Sequence, residues 1–194
     1  MKTEKQVILI GHKARQGKDS FARALATEIW LYGPDVKILS FATALKEIVA
    51  DTFGISRKQL DYAKNLGRFR AFLKYRKLLF LVIDFRKILQ QFGDGKMKHY
   101  FGKNVWKDIV EKQISETDAK VIIIPDFRFK NELIEGALTI RIERPGTTLQ
   151  STHKSEVDLD DFEYNLYLLN DGDLKDLSHK AFELAKATLK GKTI

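Results

Sequence analysis

The chain contains no cysteine, which excludes both a disulfide framework and a thiolate metal centre. Long hydrophobic runs are missing too. The longest apolar stretch, Leu78-Leu79-Phe80-Leu81-Val82-Ile83, is far too short to span a bilayer, so no membrane partner is expected. There is no internal repeat and no low-complexity tract. The opening Met1-Lys2-Thr3-Glu4-Lys5-Gln6 runs straight into an apolar segment, so no signal peptide is expected and the expected location is cytoplasmic.

What is present is the composition of a soluble globular protein, 44% apolar and 31% charged over 194 residues. That length predicts a single domain, 1–194, whose core needs no staples. The net charge of +8 is unevenly placed. Residues 57–112 carry 15 Lys and Arg against 5 Asp and Glu, so the rest of the chain is slightly acidic. Such a block suits nucleic acid, a membrane surface, multiply anionic small substrates or simply a solvated helical face.

The most informative stretch is Ile10-Gly11-His12-Lys13-Ala14-Arg15-Gln16-Gly17-Lys18-Asp19-Ser20. It follows the apolar run Val7-Ile8-Leu9-Ile10 and leads into a helical pattern over Asp19–Trp30. Strand, turn ending in Gly-Lys, then helix is the context of a phosphate-binding loop. Backbone N–H groups of the turn and the helix N-terminus converge there on an anion. Residues Lys13, Ala14, Arg15, Gln16, Gly17, Lys18, Asp19 and Ser20 are therefore the candidate nucleotide cradle. Lys18 supplies a point charge for the outer phosphates, and Ser20 a hydroxyl for phosphate or Mg²⁺. Five residues separate Gly11 from Gly17 where the usual pattern has four, so either His12 takes the first glycine position or the turn is one residue longer. The hydroxyl comes two residues after the lysine, an order that resembles the loops of nucleoside monophosphate kinases more than those of GTPases or motor ATPases.

Five short apolar runs read as buried parallel strands: Val7–Ile10, Val36–Ser40, Val121–Ile124, Thr139–Ile142 and Leu166–Leu169. Helical patterns at Asp19–Trp30, Ala44–Phe53 and Leu174–Leu189 alternate with them, predicting an α/β sandwich around a mainly parallel sheet. Gly33-Pro34-Asp35 breaks the first helix, and Asp173 with Asp176 forms a loose capping box for the last. The long interval between the second and third runs reads as helical, notably over Phe69–Gln91 and Asn104–Ile114. It predicts a helical insertion, about 56–115, over the carboxyl edge of the sheet, either a substrate cap or a structural, dimer-forming pair.

Other chemistry sits where strands end. Ile124-Pro125-Asp126-Phe127-Arg128 places a carboxylate and a guanidinium two residues apart, one for metal or hydroxyl and one for phosphate, with helix capping as the plain alternative for Asp126. Arg144 lies just past the fourth run, where a guanidinium grips developing phosphoryl charge. His153 with Glu156 is poor support for a metal, since no third ligand is near, and reads better as a hydrogen-bond pair or lid anchor. Asp158, Asp160 and Asp161 read as a solvated acidic turn.

Taken in order, these residues resemble the deoxynucleoside monophosphate kinases of tailed bacteriophages. The resemblance is carried by Gly17-Lys18-Asp19-Ser20, Ser40-Phe41-Ala42 with Leu45-Lys46-Glu47, Leu89-Gln90-Gln91-Phe92-Gly93, and Phe101-Gly102-Lys103-Asn104-Val105-Trp106. It continues through Pro125–Glu132, Arg144-Pro145-Gly146, His153-Lys154-Ser155-Glu156 and Asn170-Asp171-Gly172. His12 departs from the family's usual glycine, and Lys98 from the expected arginine. The resemblance implies a P-loop NTPase-type three-layer sandwich with a five-stranded, mainly parallel sheet. It implies transfer of the ATP γ-phosphate to a deoxynucleoside monophosphate, with ATP and Mg²⁺ as cofactors, in the host cytoplasm if the gene is a phage's. Lys18, Asp19, Arg128 and Arg144 are then the catalytic candidates, and Ser20, Asp19 and Asp126 the metal candidates. It places Lys46, Asp126 and Arg128 at the acceptor phosphate, with Gln91, Lys98 and Trp106 along its side. Trp106 suits base stacking or a core plug equally. Rival readings are a nucleic-acid-binding P-loop ATPase, a phosphomevalonate-kinase-like enzyme, and a nucleotide-binding regulatory module. Nucleic acid is not the expected partner, and a homodimer is left open.

Overall fold

The computed structural model describes residues 5–11, 13–66, 69–72, 80–83, 85–147 and 154–189. In chain order its elements begin with β1 (Gln6–Gly11), α1 (Lys18–Leu31), β2 (Val36–Ile38), α2 (Phe41–Phe53), α3 (Arg57–Leu66), β3 (Phe69–Phe72), β4 (Phe80–Ile83) and α4 (Phe85–Gln90). A π-helical turn, Gln91–Lys96, leads to α5 (Met97–Phe101) and α6 (Val105–Glu116). Strands β5 (Val121–Ile124), β6 (Leu138–Glu143) and β7 (Leu166–Leu169) follow, and α7 (Leu174–Leu189) comes last.

Two compact units emerge, one from residues 1–40 with 110–194 and one from 41–109. The first holds a five-stranded, wholly parallel sheet in the order β2-β5-β1-β6-β7, with helices covering it. All five runs read as strands from the sequence pair here. Strand β1 lies in the middle, with Ile8 opposite both Ile123 and Leu138. Ile8, Ile10, Ile123, Ile140 and Ile142 pack with Phe21, Leu25 and Ile29 of α1 and with Leu177, Ala181 and Leu184 of α7. The alternate residues Leu9, Ile122 and Ile124 are buried as well. Burial on both faces explains why these strands lack polar alternation.

Helix α7 begins as its sequence predicts. The Asp173 carboxylate accepts the Lys175 and Asp176 amides at 2.6 and 3.1 Å, and Asp176 accepts the Asp173 amide at 2.9 Å. Helix α1 ends on Gly33 at φ 106°, whose amide reaches Trp30 O at 3.0 Å.

The second unit corrects one expectation. The segment Phe69–Gln91, read as helical, contains instead an antiparallel pair, β3 with β4, in register Phe69↔Ile83 to Phe72↔Phe80. Among its described residues, helix is confined to Phe85–Gln90 and the π-helical turn after it. The insertion is thus mixed rather than helical. Its core is Val49, Ala50, Leu60, Phe85 and Leu89, with Phe53 and Phe85 edge to face at 5.2 Å. Tyr75, Leu78 and Leu79 of that insertion lie outside the described residues.

Candidate active site

Because the sheet is parallel, the segments after β1, β5, β6 and β7 leave its same edge, and the sequence places its chemistry there. The loop after β1 contains two left-handed residues, Arg15 at φ 61° and Gly17 at φ 92°. That alternation turns successive amides toward one side, and α1 starts immediately after it with no side-chain cap. Glycine at 17 is required twice over, since a Cβ there would also stand 2.5 Å from Asn170 Nδ2. Glycine at 11 is required by contact: a Cβ there would stand 2.5 Å from Tyr164 Oη and 3.2 Å from Phe127 O. His12, and with it the choice between two loop registers, lies outside the described residues.

Neighbouring strand ends pin the loop. Buried Asn170, just past β7, donates Nδ2 to Gln16 O at 2.9 Å. Buried Gln16 accepts the Arg144 amide, past β6, on its side-chain oxygen. Lys13 pairs with Asp160 at 2.8 Å.

Lys18 is the first residue of α1, only 7% exposed, and its ammonium bends back to donate to Lys13 O. Burial pushes its pKa down to about 8, with the Arg128 guanidinium adding to the effect. The charges of Glu156, Asp19 and Asp126 pull the other way. Asp126, at the end of β5, accepts a hydrogen bond from Ser40 Oγ at 2.7 Å. Arg128 donates Nη1 to Glu156, while its own amide is accepted by Glu132 at 2.9 Å. Glu132 also takes the Phe129 amide at 3.1 Å.

The structure therefore brings Lys18, Asp19, Asp126 and Arg128 together. Ser20 follows in the first turn of α1, and the exposed Arg144 stands beside the loop through its backbone. Lys46, Gln91, Lys98 and Trp106 all belong to the second unit. There Lys46 pairs with Asp61 at 3.0 Å, and Gln91 lies exposed on the π-helical turn. Lys98 is half-buried on α5, and Trp106 is buried with its indole N–H donated to Gly93 O at 3.0 Å.

The acidic stretch after Lys154 is the expected turn, exposed at Asp160 and Asp161, but its carboxylates are also paired. Asp158 accepts the Lys130 amide at 2.9 Å, Asp160 pairs with Lys13, and Asp161 pairs with Lys130 at 2.7 Å. Buried Glu156 accepts the Ala14 amide at 2.8 Å as well as Arg128. Its suggested companion His153 lies outside the described residues. Glu132 and Asn170 lay within recognised motifs, but local pattern assigned them no task, because their partners are backbone groups of the turns.

No group of three or more His, Asp or Glu is placed to hold a metal among the described residues. Asp19 and Asp126, whose charges both raise the Lys18 pKa, and the Ser20 hydroxyl are the residues that could hold Mg²⁺, an ion that takes one or two carboxylates plus substrate phosphates. Among the described residues no helix is long and apolar enough to cross a membrane.

No curated protein matches the chain in sequence. Among solved structures it is similar to shikimate kinase from Aquifex aeolicus vf5, with 10% identity, a TM-score of 0.47, and coverage of 96% of this chain and 99% of that one. A family model for deoxynucleotide monophosphate kinase matches residues 74–181, more than half of the chain, including Asp126, Arg128, Arg144 and Glu156. The chain belongs to the deoxynucleotide monophosphate kinase family and is an ATP-dependent phosphotransferase.

Proposed function

We propose that the protein transfers the γ-phosphate of ATP to a deoxynucleoside monophosphate, giving ADP and the deoxynucleoside diphosphate. The observation that carries this reading is buried Lys18 under the influence of half-buried Asp126 and Arg128, beside a loop with two left-handed residues. Phosphoryl transfer asks the protein for positioning and charge neutralisation rather than covalent chemistry. Residues 13–20 cradle the donor phosphates, with the Ala14 amide given to Glu156 and not to the nucleotide, and Lys18 follows the charge on the transferred group. Arg128 holds the acceptor phosphate and Asp126 orients its neighbourhood. Arg144, exposed past β6, takes the donor's base side or the developing charge. Mg²⁺, held by Asp19, Ser20 and Asp126 directly or through water, supplies charge neutralisation at the donor phosphates. Acceptor-side roles for Lys46, Gln91, Lys98 and Trp106 belong to the same proposal. So do a single kinase domain over 1–194 and a cytoplasmic location.

The test is ADP release measured across all deoxynucleoside and ribonucleoside monophosphates, with phosphomevalonate as control. Turnover with at least one deoxynucleoside monophosphate, and none with phosphomevalonate, is expected. Turnover with phosphomevalonate alone, or ATP hydrolysis stimulated only by DNA, would overturn the proposal. Phosphate contacts to DNA would betray themselves by a steep loss of binding with salt.

A further inference from the structure

Arg128 is held twice, by two different carboxylates. Glu132 takes its backbone amide at 2.9 Å, which fixes the turn after β5. Glu156 takes its guanidinium on Oε1 and, with Oε2, accepts the Ala14 amide of the phosphate loop at 2.8 Å. One rigid group about two ångströms wide thus ties the donor loop to the candidate acceptor arginine. The segment carrying Glu156 does not depend on that tie for its place. Asp158 on the Lys130 amide and Asp160 on Lys13 fasten it to the same two regions independently. Nor does the fold gain much from the pair, since a buried ion pair rarely repays the desolvation of its charges.

We infer that Glu156 is a positioning residue, which acts through Arg128 by aiming its guanidinium at the phosphate loop. The inference rests on the function proposed above, in which Arg128 handles phosphate. Left to itself, a half-buried arginine samples many rotamers and meets the reacting phosphates only part of the time. Clamped by Glu156, it moves with Ala14, so acceptor phosphate and donor loop keep one geometry. Misplacement of about 1 Å at such a site costs about a hundredfold in rate. Glutamine cannot replace the carboxylate. Its single carbonyl oxygen satisfies Ala14 or Arg128, and its amide N–H₂ then faces a second donor.

A double-mutant cycle of Glu156→Gln and Arg128→Ala tests this, with melting temperature as the check on folding. E156Q is expected to lower kcat about a hundredfold with the KM for ATP within about twofold of wild type. R128A is expected to lower kcat about a thousandfold. The double variant should be no slower than R128A, because nothing remains for Glu156 to aim. Independent roles would multiply instead, to about 10⁵, and that result would overturn the inference while leaving the proposed function standing. So would an E156Q enzyme with wild-type kcat. A wild-type protein that phosphorylates no deoxynucleoside monophosphate would refute the proposed function itself. Should E156Q fail to fold, E156D, which keeps both oxygens on a shorter stem, enters the same cycle with the same reading.

Discussion

Raising the pH should separate what Lys18 does for the donor from what it does to the fold. Its pKa is pushed down to about 8, chiefly by burial. At pH 7 about nine tenths of the protein therefore carries the charge, and at pH 9.5 only about a thirtieth does. The donor's phosphates are about nine tenths ionised at pH 7 and gain little more charge above it. If the ammonium meets them, apparent ATP affinity falls about thirtyfold between pH 7 and 9.5, or about 2 kcal/mol. Stability moves the opposite way. The folded pKa of about 8 lies below the ordinary value of 10.5. Between them the unfolded chain binds more protons, so stability rises with pH through that window. The gain is up to about 3 kcal/mol, complete only above the unfolded value. Calorimetric titration with a non-hydrolysable ATP analogue at fixed Mg²⁺ reads the first effect, and urea unfolding across the same pH series reads the second. Lys18→Met is the control, and both pH steps should vanish in it. Its turnover should be abolished with its fold intact. An analogue affinity that is flat from pH 7 to 9.5, or a step that survives in K18M, would refute the assignment of Lys18 to the phosphates.

Other outcomes follow from single contacts. Tyr164 Oη is buried without a hydrogen-bond partner among the described residues, and burial raises its pKa. Tyr164→Phe should therefore stabilise the protein by about 1 kcal/mol in thermal melts, and a loss of that size would mean the hydroxyl is used. Gly17→Ala imposes a left-handed alanine and drives its Cβ into Asn170, so it should cost about 3 kcal/mol in urea unfolding and weaken ATP-analogue binding. A variant of wild-type stability would show that the loop relaxes freely. Trp106→Phe loses the indole bond to Gly93 O and some buried volume, and should cost about 2 kcal/mol with similar KM changes for all acceptor bases. Unchanged stability with a base-selective KM would make Trp106 a stacking residue.

The sheet was legible because its strands are short apolar runs separated by glycine, proline and helical periodicity. Val121–Ile124 and Leu166–Leu169 have the ends the pattern predicts. Strand β2 stops two residues early, although the Leu39 amide still reaches Ile123 O at 3.0 Å. The pair β3–β4 was not legible. An apolar run as short as Leu78–Ile83 does not distinguish a strand from a buried helix by period alone. At the site, lysine, glycine and the strand-end Asp-Phe-Arg were recognisable because their roles are local. The tasks of Glu156, Asp158 and Asp160 were not, for their partners Ala14, Arg128, Lys130 and Lys13 lie 28 to 147 positions away. Sequence shows that an acidic turn is exposed, not which cations and amides the fold brings to its carboxylates.

The central place of β1 has a consequence for how this molecule is made. Its two neighbours, β5 and β6, begin at Val121 and Leu138, so neither exists when residues 6–11 leave the ribosome. At about ten residues per second, roughly ten seconds pass before the first partner is synthesised. Through that interval Val7-Ile8-Leu9-Ile10 has two open edges, the condition that invites pairing with another chain. The core of the second unit, by contrast, draws only on residues 45–89 and is complete in the nascent chain well before Val121. Synthesis therefore finishes the inserted unit first and the phosphate-binding half last. A chain truncated before β5 would carry β1 as a sticky strand with no sheet to join.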